Sequence, residues 1–361
     1  MKRFLTFEKR MAGTTGNVVL IRILSIAVAV LVMIGFLFAM GKTPNQVGSI
    51  LTSMFITTFF TDSILDVLAK AIPLVITAIG ISLAFRMKLW NIGGEGQIAM
   101  GAFAAAGVAM LFPSLPGIVL IPLMAVAAML MGAIWAGFAG APRAYLGVNE
   151  TITTLMLNYV ALMWLQYLIT GPWRDPGNIG FPIAPPIPEN AELPAIPKTD
   201  MHLGLVFAIL LAFVYFFLLT RSRWGYEIRV VGESTRAAGY AGIDVRRNTL
   251  LVLMLSGAVA GLAGMNEVAG LSHRLEMNIS SGYGYTAIII AWLARLNPWG
   301  IIAMSVFMSG LLVGGKYAQT AGISDAISVM IQGVILFFVL GFDLFTQYKV
   351  KFNFIRGGVK A

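Results

Sequence analysis

The feature that most constrains this chain is a series of ten long apolar stretches, spaced from one end to the other. Only 11% of the 361 residues are charged, against about 25% in an ordinary soluble domain, so charge is too scarce to cover a globular surface. Most of the stretches approach the roughly 20 residues that a helix needs to cross a bilayer. The sequence therefore predicts an all-α polytopic membrane protein with about ten transmembrane helices in one domain over 1–361. The stretches run approximately over 18–40, 64–85, 92–111, 118–140, 150–170, 202–220, 249–270, 284–296, 299–315 and 325–345.

Lysine and arginine are distributed unevenly among the predicted loops. If the N-terminus is cytoplasmic, 19 of the 25 basic residues fall on the cytoplasmic side, which is the bias that the positive-inside rule describes. The distribution predicts that both termini are cytoplasmic and that membrane lipid surrounds the spans. The formal net charge of +9 follows from this topology, so a nucleic-acid partner is not expected.

The chain contains no cysteine, which excludes disulfides, thiolate metal sites and thiol catalysis. Its two histidines, His202 and His273, lie far apart and lack the His-x-x-x-His spacing of a helical zinc site. We therefore expect neither a metal site nor catalytic residues.

Two glycine-rich stretches come close to nucleotide-binding signatures. NIGGEGQIAMGA, at 91–102, has the G-x-G-x-x-A spacing of a dinucleotide-binding turn, but a membrane-length apolar stretch precedes it where that turn needs a strand. GLLVGGKY, at 310–317, ends in tyrosine where a P-loop has serine or threonine. We therefore expect no cofactor in this chain, and interpret the glycines of 310–317 and Gly257-x-x-x-Gly261 as helix-packing faces.

The first of these motifs occurs twice. GGEGQIAMGA begins at Gly93, and SGYGYTAIII begins at Ser281, 188 residues later. In the predicted topology the first copy opens a helix from the inside and the second opens one from the outside, as in the inverted-topology repeats of transporters. We expect a repeat that relates spans 2–5 to spans 7–10, with a short broken helix at 284–296.

Polar residues inside and beside the apolar stretches are the candidates for a solute pathway. On span 5, Glu150, Thr154 and Asn158 recur every fourth residue and so share one helix face. Uncompensated polar groups in hydrocarbon are costly, so such faces point at protein or at water. Two interpretations stay open for each residue: lining of the pathway, or helix capping and packing. The candidate set is Asn91, Glu95, Gln97, Asn149, Glu150, Thr154, Asn158, Asn266, Glu267 and Gln332.

A predicted external loop over 171–200 holds eight of the fifteen prolines. Proline stiffens the chain and removes amide donors, so the loop is expected to be extended and ordered by its contacts. It is either a connector or a docking surface for an external partner.

A predicted cytoplasmic loop over 221–248 carries six arginines. Ser234 or Thr235 is placed to cap a short helix, which Gly239 or Gly242 can end. A minimal connection needs far fewer residues, so this loop is predicted to be a contact surface.

Three stretches in the same order resemble the membrane permeases of bacterial ABC importers. They are NIGGEGQIAMGA, GVNETITTLMLNYVA and VVGESTRAAGYAGI. The resemblance covers about 64–345 and is to the branch that includes ribose and branched-chain amino acid permeases. Within that branch the chain looks most like the permeases for nucleosides, often described as "simple sugar" permeases.

The resemblance implies a multi-pass subunit of the bacterial plasma membrane with an inverted-repeat fold similar to vitamin B12-type permeases. It implies import of a nucleoside or related simple sugar, with ATP and Mg²⁺ held by a partner ABC ATPase. An external substrate-binding lipoprotein and a second related permease subunit (or a second copy of the chain) are the other implied partners, and we favour a heterodimer. The residues that match the family's ATPase-coupling segment are Gly232, Glu233, Arg236, Ala237, Ala238, Gly242 and Ile243.

Two other classes of function were weighed against this one. An ion-coupled secondary transporter would need intramembrane carboxylates or an ion site, and would not need the loop over 221–248. A membrane-embedded enzyme would need clustered catalytic groups, and the sequence contains no such cluster.

Overall fold

The computed structural model describes residues 5–9, 15–61, 63–178, 180, 182–197 and 199–352. The chain termini, which are predicted to be cytoplasmic, lie outside these residues. Tertiary contacts divide the chain into two compact units, one of residues 62–310 and one of residues 1–61 with 311–361. The single domain expected over 1–361 stays a prediction, and the two units are described in turn.

Helices account for nearly all of the regular structure in the described residues. Short π-helical turns follow α2 at Thr52–Thr57 and α11 at Val268–Ser272, and a 3₁₀ turn covers Glu189–Ala191. The α-helices are α1 (Thr15–Ala39), α2 (Pro44–Leu51), α3 (Thr58–Phe60), α4 (Ile64–Arg86), α5 (Gly94–Leu111), α6 (Gly117–Leu146), α7 (Glu150–Thr170), α8 (Gly204–Arg221), α9 (Arg223–Glu233), α10 (Thr235–Tyr240), α11 (Val245–Glu267), α12 (Tyr283–Leu293), α13 (Pro298–Thr320) and α14 (Asp325–Gln347).

Each of the ten predicted apolar stretches coincides with one of these helices, so the all-α membrane class is confirmed. Seven helices in the described part of the chain are long and apolar enough to cross a bilayer. They are α4, α6, α7, α8, α11 with its π-helical extension, α13 and α14. At 11 residues, α12 is as short as the broken helix predicted there. The count of ten spans stays a prediction.

The unit of residues 62–310 is built around α11, which packs against α6, α5 and α4. Its small residues permit this close approach: a Cβ on Gly257 would collide with the backbone of Gly132, and one on Gly261 with the backbone of Ala128. Helix association in a bilayer relies on such packing, because lipid tails are as apolar as the side chains. The small-residue face predicted at 257–261 is confirmed.

In the second unit, α1 packs against α14, and β1 (Leu5–Lys9) pairs antiparallel with β2 (Tyr348–Phe352). The sequence interpretation missed α2, although Thr43 and Gln46 form a capping box at its start. Residues 310–317 lie inside the continuous helix α13, whereas a P-loop must be a loop that wraps phosphate.

Candidate functional site

The two copies of the glycine motif meet in the structure. α5 begins in the first copy and α12 in the second, and the carboxylate of Glu95 joins them. Its Oε1 accepts a hydrogen bond from the amide of Gly282 and its Oε2 accepts one from the amide of Gly284, both at 2.8 Å. The first amides of a helix have no partner within the helix, and a carboxylate there also interacts favourably with the helix dipole. Glu95 therefore caps α12 from the first turn of α5.

Glycine is required for this junction. Gly282 has a φ of +78°, in the left-handed region that glycine adopts without strain. A Cβ on Gly284 would lie 2.6 Å from the Cα of Glu95, and one on Gly94 would lie 3.3 Å from the Cα of Gly284. The backbones of the two helix starts are thus in direct contact.

A non-helical segment, 87–93, connects α4 to α5, and side chains of α7 bind its backbone. The amide of Trp90 donates to Glu150 Oε1 at 3.2 Å, and that of Ile92 donates to Thr154 Oγ1 at 3.2 Å. Asn158 donates to the carbonyl of Ile92 and accepts from the amide of Gly96, both at 2.9 Å. The polar face of α7 thus supplies hydrogen-bond partners to the backbone of this segment.

Asn91 and Gln97 complete the buried network. Asn91 Nδ2 donates to Gln97 Oε1 at 3.0 Å and to Ser256 Oγ on α11 at 2.8 Å, and Gln97 Nε2 donates back to Asn91 Oδ1 at 3.0 Å. Both side chains are buried. Pairing of this kind offsets the cost of burying amides, so the contacts favour the packing interpretation of these two residues.

A second polar cluster lies where α4, α11 and α12 meet. Lys70 Nζ is 3.3 Å from Glu267 Oε1 and 5.9 Å from the ring centroid of Tyr283. Tyr283 occupies, in the second copy of the glycine motif, the position that Glu95 occupies in the first. Asn266 beside it is buried, and its Oδ1 has no hydrogen-bond partner among the described residues. The sequence interpretation missed Lys70, although an ionisable residue six positions into a span is a signal of function in its own right.

His202 is buried in front of α8, and its Nδ1 accepts from the amide of Gly204 at 3.1 Å. Burial, reinforced by the nearby His273, lowers the pKa of His202 to about 4. The side chain is therefore neutral at neutral pH and serves as a cap.

Two of the pathway candidates lie elsewhere. Asn149 is exposed and caps α7 by accepting from the amide of Thr151 at 2.9 Å. Gln332 lies on α14, in the other unit, near Ser328 Oγ at 3.4 Å.

Described residues of the loop over 171–200, which is predicted to be external, make hydrogen bonds to other parts of this chain. The amide of Leu193 donates to the carbonyl of Ala269 at 2.8 Å, and that of Ile187 donates to His273 at 2.9 Å. Asn190 also donates to the carbonyl of Pro113 at 2.9 Å. These bonds hold the loop against the chain that follows α11 and against the connection between α5 and α6.

The loop over 221–248, which is predicted to be cytoplasmic, forms α9 and α10. Ser234 caps α10 by accepting from the amide of Ala237 at 3.2 Å, and Gly242 follows the helix with a φ of +75°. The predicted short helix and its caps are therefore present. A cavity of about 870 Å³ opens beside this loop and is lined in part by Trp224 and Arg247.

The residues that match the coupling segment differ in their exposure. Ala238 is 0% exposed, and a Cβ on Gly232 would collide with the carbonyl of Arg86. Both residues are packed against other parts of this chain, and their direct contact with an ATPase stays a prediction. Glu233, Arg236, Ala237 and Gly242 are exposed and Ile243 is half-buried, while Tyr240, which was not among the candidates, is 94% exposed.

We expect Glu95→Gln to lower the apparent melting temperature of the purified protein. Glutamine keeps one acceptor oxygen but turns an NH₂ group toward a buried backbone amide, and an unsatisfied buried donor costs about 1–3 kcal/mol. Glu189→Gln is the matched control, because Glu189 is exposed in the loop over 171–200. Equal melting temperatures for the two variants would contradict the role given to Glu95.

The sequence over 63–340 matches the family described as the permease component of branched-chain amino acid transport systems. The glucose ABC transporter permease protein TsgB13 of Haloferax volcanii is 36% identical over 82% of this chain and 80% of its own length. The guanosine ABC transporter permease protein NupP of Bacillus subtilis is 29% identical over 79% and 84%. The nucleoside ABC transporter permease protein NupB of Lactococcus lactis is 30% identical over 74% and 76%. No solved structure shows a significant match to this chain.

Proposed function

This chain belongs to the family of permease components of branched-chain amino acid transport systems, and from this premise we propose that it imports a nucleoside or a related simple sugar. The cargo is proposed from the relatives, which are described as permeases for glucose, guanosine and nucleosides. As an ABC transporter permease the chain is not itself an enzyme, and ATP hydrolysis belongs to a separate subunit. The proposed direction of transport is into the cytoplasm.

The proposed assembly contains this chain, a second related permease, an ABC ATPase that carries ATP and Mg²⁺, and an external substrate-binding lipoprotein. We favour two different permeases over two copies of one. The proposed membrane arrangement has ten spans, both termini cytoplasmic and the inverted repeat of vitamin B12-type permeases.

The observation that carries this proposal is the junction of the two glycine motifs. The starts of α5 and α12 meet at Glu95, each in one copy of the motif. Transporters built from inverted repeats use discontinuous helices of this kind, with the solute site at the repeat interface. The junction therefore supports both the repeat and a pathway beside it.

We propose that the buried polar residues support the wall of this pathway. Hydrogen bonds join segment 87–93 and α5 to three residues of α7, namely Glu150, Thr154 and Asn158. Asn91 and Gln97 bind one another. Their proposed role is to hold a non-helical segment at membrane depth, where its backbone needs partners that lipid cannot supply.

We propose that the exposed residues of α9 and α10 form the surface that contacts the ATPase. Arg236, Ala237 and Tyr240 are the exposed residues of α10 on which this surface centres. Beneath them, Gly232 packs on the carbonyl of Arg86, whose Nη2 donates to Leu296 just beyond α12 at 2.9 Å. A displacement of α9 would therefore reach the inner ends of α4 and α12.

The proposal is tested by uptake into liposomes that contain the complete complex. The cytoplasmic face of the complex points into the liposome, and the lipoprotein is added outside together with labelled guanosine or glucose as cargo. We expect uptake to need ATP on the cytoplasmic side and the lipoprotein on the other, and to persist when ion gradients are collapsed. Uptake driven by an ion gradient without ATP would establish the alternative, an ion-coupled secondary transporter. If ATP drives the uptake of neither guanosine nor glucose, the proposed class of solute is wrong.

A further inference from the structure

Three aromatic side chains near the helix junction are exposed although their backbones are well packed. Trp90 is 43% exposed, Tyr285 is 39% exposed and Trp292 is 51% exposed. The ring centroids of Trp90 and Trp292 lie 5.6 Å apart, and both rings contact the buried Phe85, at 5.3 and 6.1 Å. The contacts with Phe85 fix the two indole rings in one orientation. We refer to Trp90, Tyr285 and Trp292 as the aromatic surface.

The aromatic surface follows one face of α12. Tyr285 and Trp292 are seven residues apart, which is two helical turns, so they share a face at a separation of roughly 10 Å. Trp90 comes from segment 87–93 and stands beside Trp292. The surface thus runs from the helix junction toward the end of α12.

The backbone beneath this surface argues against contact with lipid tails. Segment 87–93 is non-helical, and its amides depend on side chains of α7. At the membrane depth proposed for this segment, irregular backbone occurs only where it is buried in protein or lines a water-filled cavity. Tyr285 also carries a hydroxyl within 3.2 Å of Asn158 Nδ2, so the surface pairs flat apolar rings with a polar group.

We propose that the aromatic surface lines the solute pathway and stacks on the base of a nucleoside as it passes. This inference rests on the proposed function and narrows its cargo to nucleosides. A base offers a flat π-face that aromatic side chains bind irrespective of sequence, and the contribution of one such stack corresponds to about a 5- to 150-fold change in binding. The hydroxyl of Tyr285, which accepts a hydrogen bond from Asn158, is suited to donate one to the polar edge of the base or to ribose.

Water access is the first test, and the cysteine-free chain allows it without other changes. Trp292→Cys and Tyr285→Cys are each made in the complete complex and treated with a membrane-impermeant polar thiol reagent. We expect both to be labelled, and expect guanosine to slow labelling at least fivefold while ribose at the same concentration does not. Trp299→Cys is the control that guanosine should not protect, because Trp299 is 44% exposed and its ring contacts Phe213 and Phe216 of α8.

Absence of labelling would overturn the proposal, because the surface would then be covered by a partner permease or by the interfacial belt of lipid that tryptophan often occupies. Equal protection by ribose would overturn the stacking on a base. The labelling pattern is read in the same complexes that are used for uptake.

Uptake by paired variants is the second test. We expect Trp292→Leu to lower the rate of guanosine uptake at least fivefold and Trp292→Phe to stay within twofold of wild type, since only phenylalanine retains a ring. Trp299→Leu should match wild type. Equal rates for the leucine and phenylalanine variants at position 292 would refute stacking. If the wild-type complex moves glucose but no nucleoside, the nucleoside cargo and the stacking fail together while ATP-driven import stands.

Discussion

A Gly284→Ala variant is expected to lose uptake and most of its folded yield. The added methyl group would lie 2.6 Å from the Cα of Glu95 and 2.7 Å from the carbonyl carbon of Gly94. Both are backbone atoms, which cannot rotate away as the end of a side chain can. Separating α5 from α12 would also break the two hydrogen bonds of Glu95. Overpacking alone costs about 1–3 kcal/mol, and the lost bonds add to it.

The matched control is Gly333→Ala on α14. A Cβ at Gly333 meets nothing within 4 Å, and alanine is favoured over glycine in a helix by about 1 kcal/mol. This variant should keep wild-type uptake and an unchanged or higher melting temperature. Folded yield is measured by size-exclusion chromatography of the detergent-solubilised protein. If Gly284→Ala and Gly333→Ala behave alike, the contact between the two helix starts is not needed.

Ala238→Glu is expected to disrupt the folding of the loop over 221–248 itself. Ala238 is 0% exposed, and a carboxylate forced into that packing without a partner costs several kcal/mol. The variant should still insert into the membrane, because the site is outside the apolar helices. We expect rapid cleavage between α9 and α11 in limited proteolysis and loss of co-purifying ATPase.

The neighbouring variant, Ala237→Glu, separates packing from partner contact. Ala237 is exposed at the start of α10, so a glutamate there should leave proteolysis unchanged. If the exposed face of α10 contacts the ATPase, this variant loses co-purifying ATPase or hydrolyses ATP without uptake. If Ala237→Glu retains both co-purification of the ATPase and uptake at the wild-type level, the loop is only a connector.

Much of this fold could be predicted because its signals are local. Apolar runs of about 20 residues locate the helices. The serine before α10 and the glycine after it indicate where that helix is capped. The short α12 was predicted from the glycine and proline that flank its apolar run. The two copies of the glycine motif can be found in the sequence, but the sequence does not show that they are in contact.

The partners of the polar side chains could not be predicted, because they are far away in sequence. Glu95 binds amides 187 and 189 residues later, and Asn91 binds a serine 165 residues later. A periodic polar face is the same pattern whether it meets water or the backbone of another segment. Ala238 posed the same difficulty, since a small residue suits both a partner's groove and the interior of its own chain.

The shared carboxylate limits which parts of the protein can move during a transport cycle. Parting α5 from α12 would deprive two backbone amides, one of them fully buried, of their acceptor at once, so we expect the pair to move as one rigid body. Alternating access is commonly a rigid-body rocking around a fixed site, and we expect the joined starts of α5 and α12 to stay together beside that site. The hinges must then lie outside the junction, where a bend breaks no buried hydrogen bond.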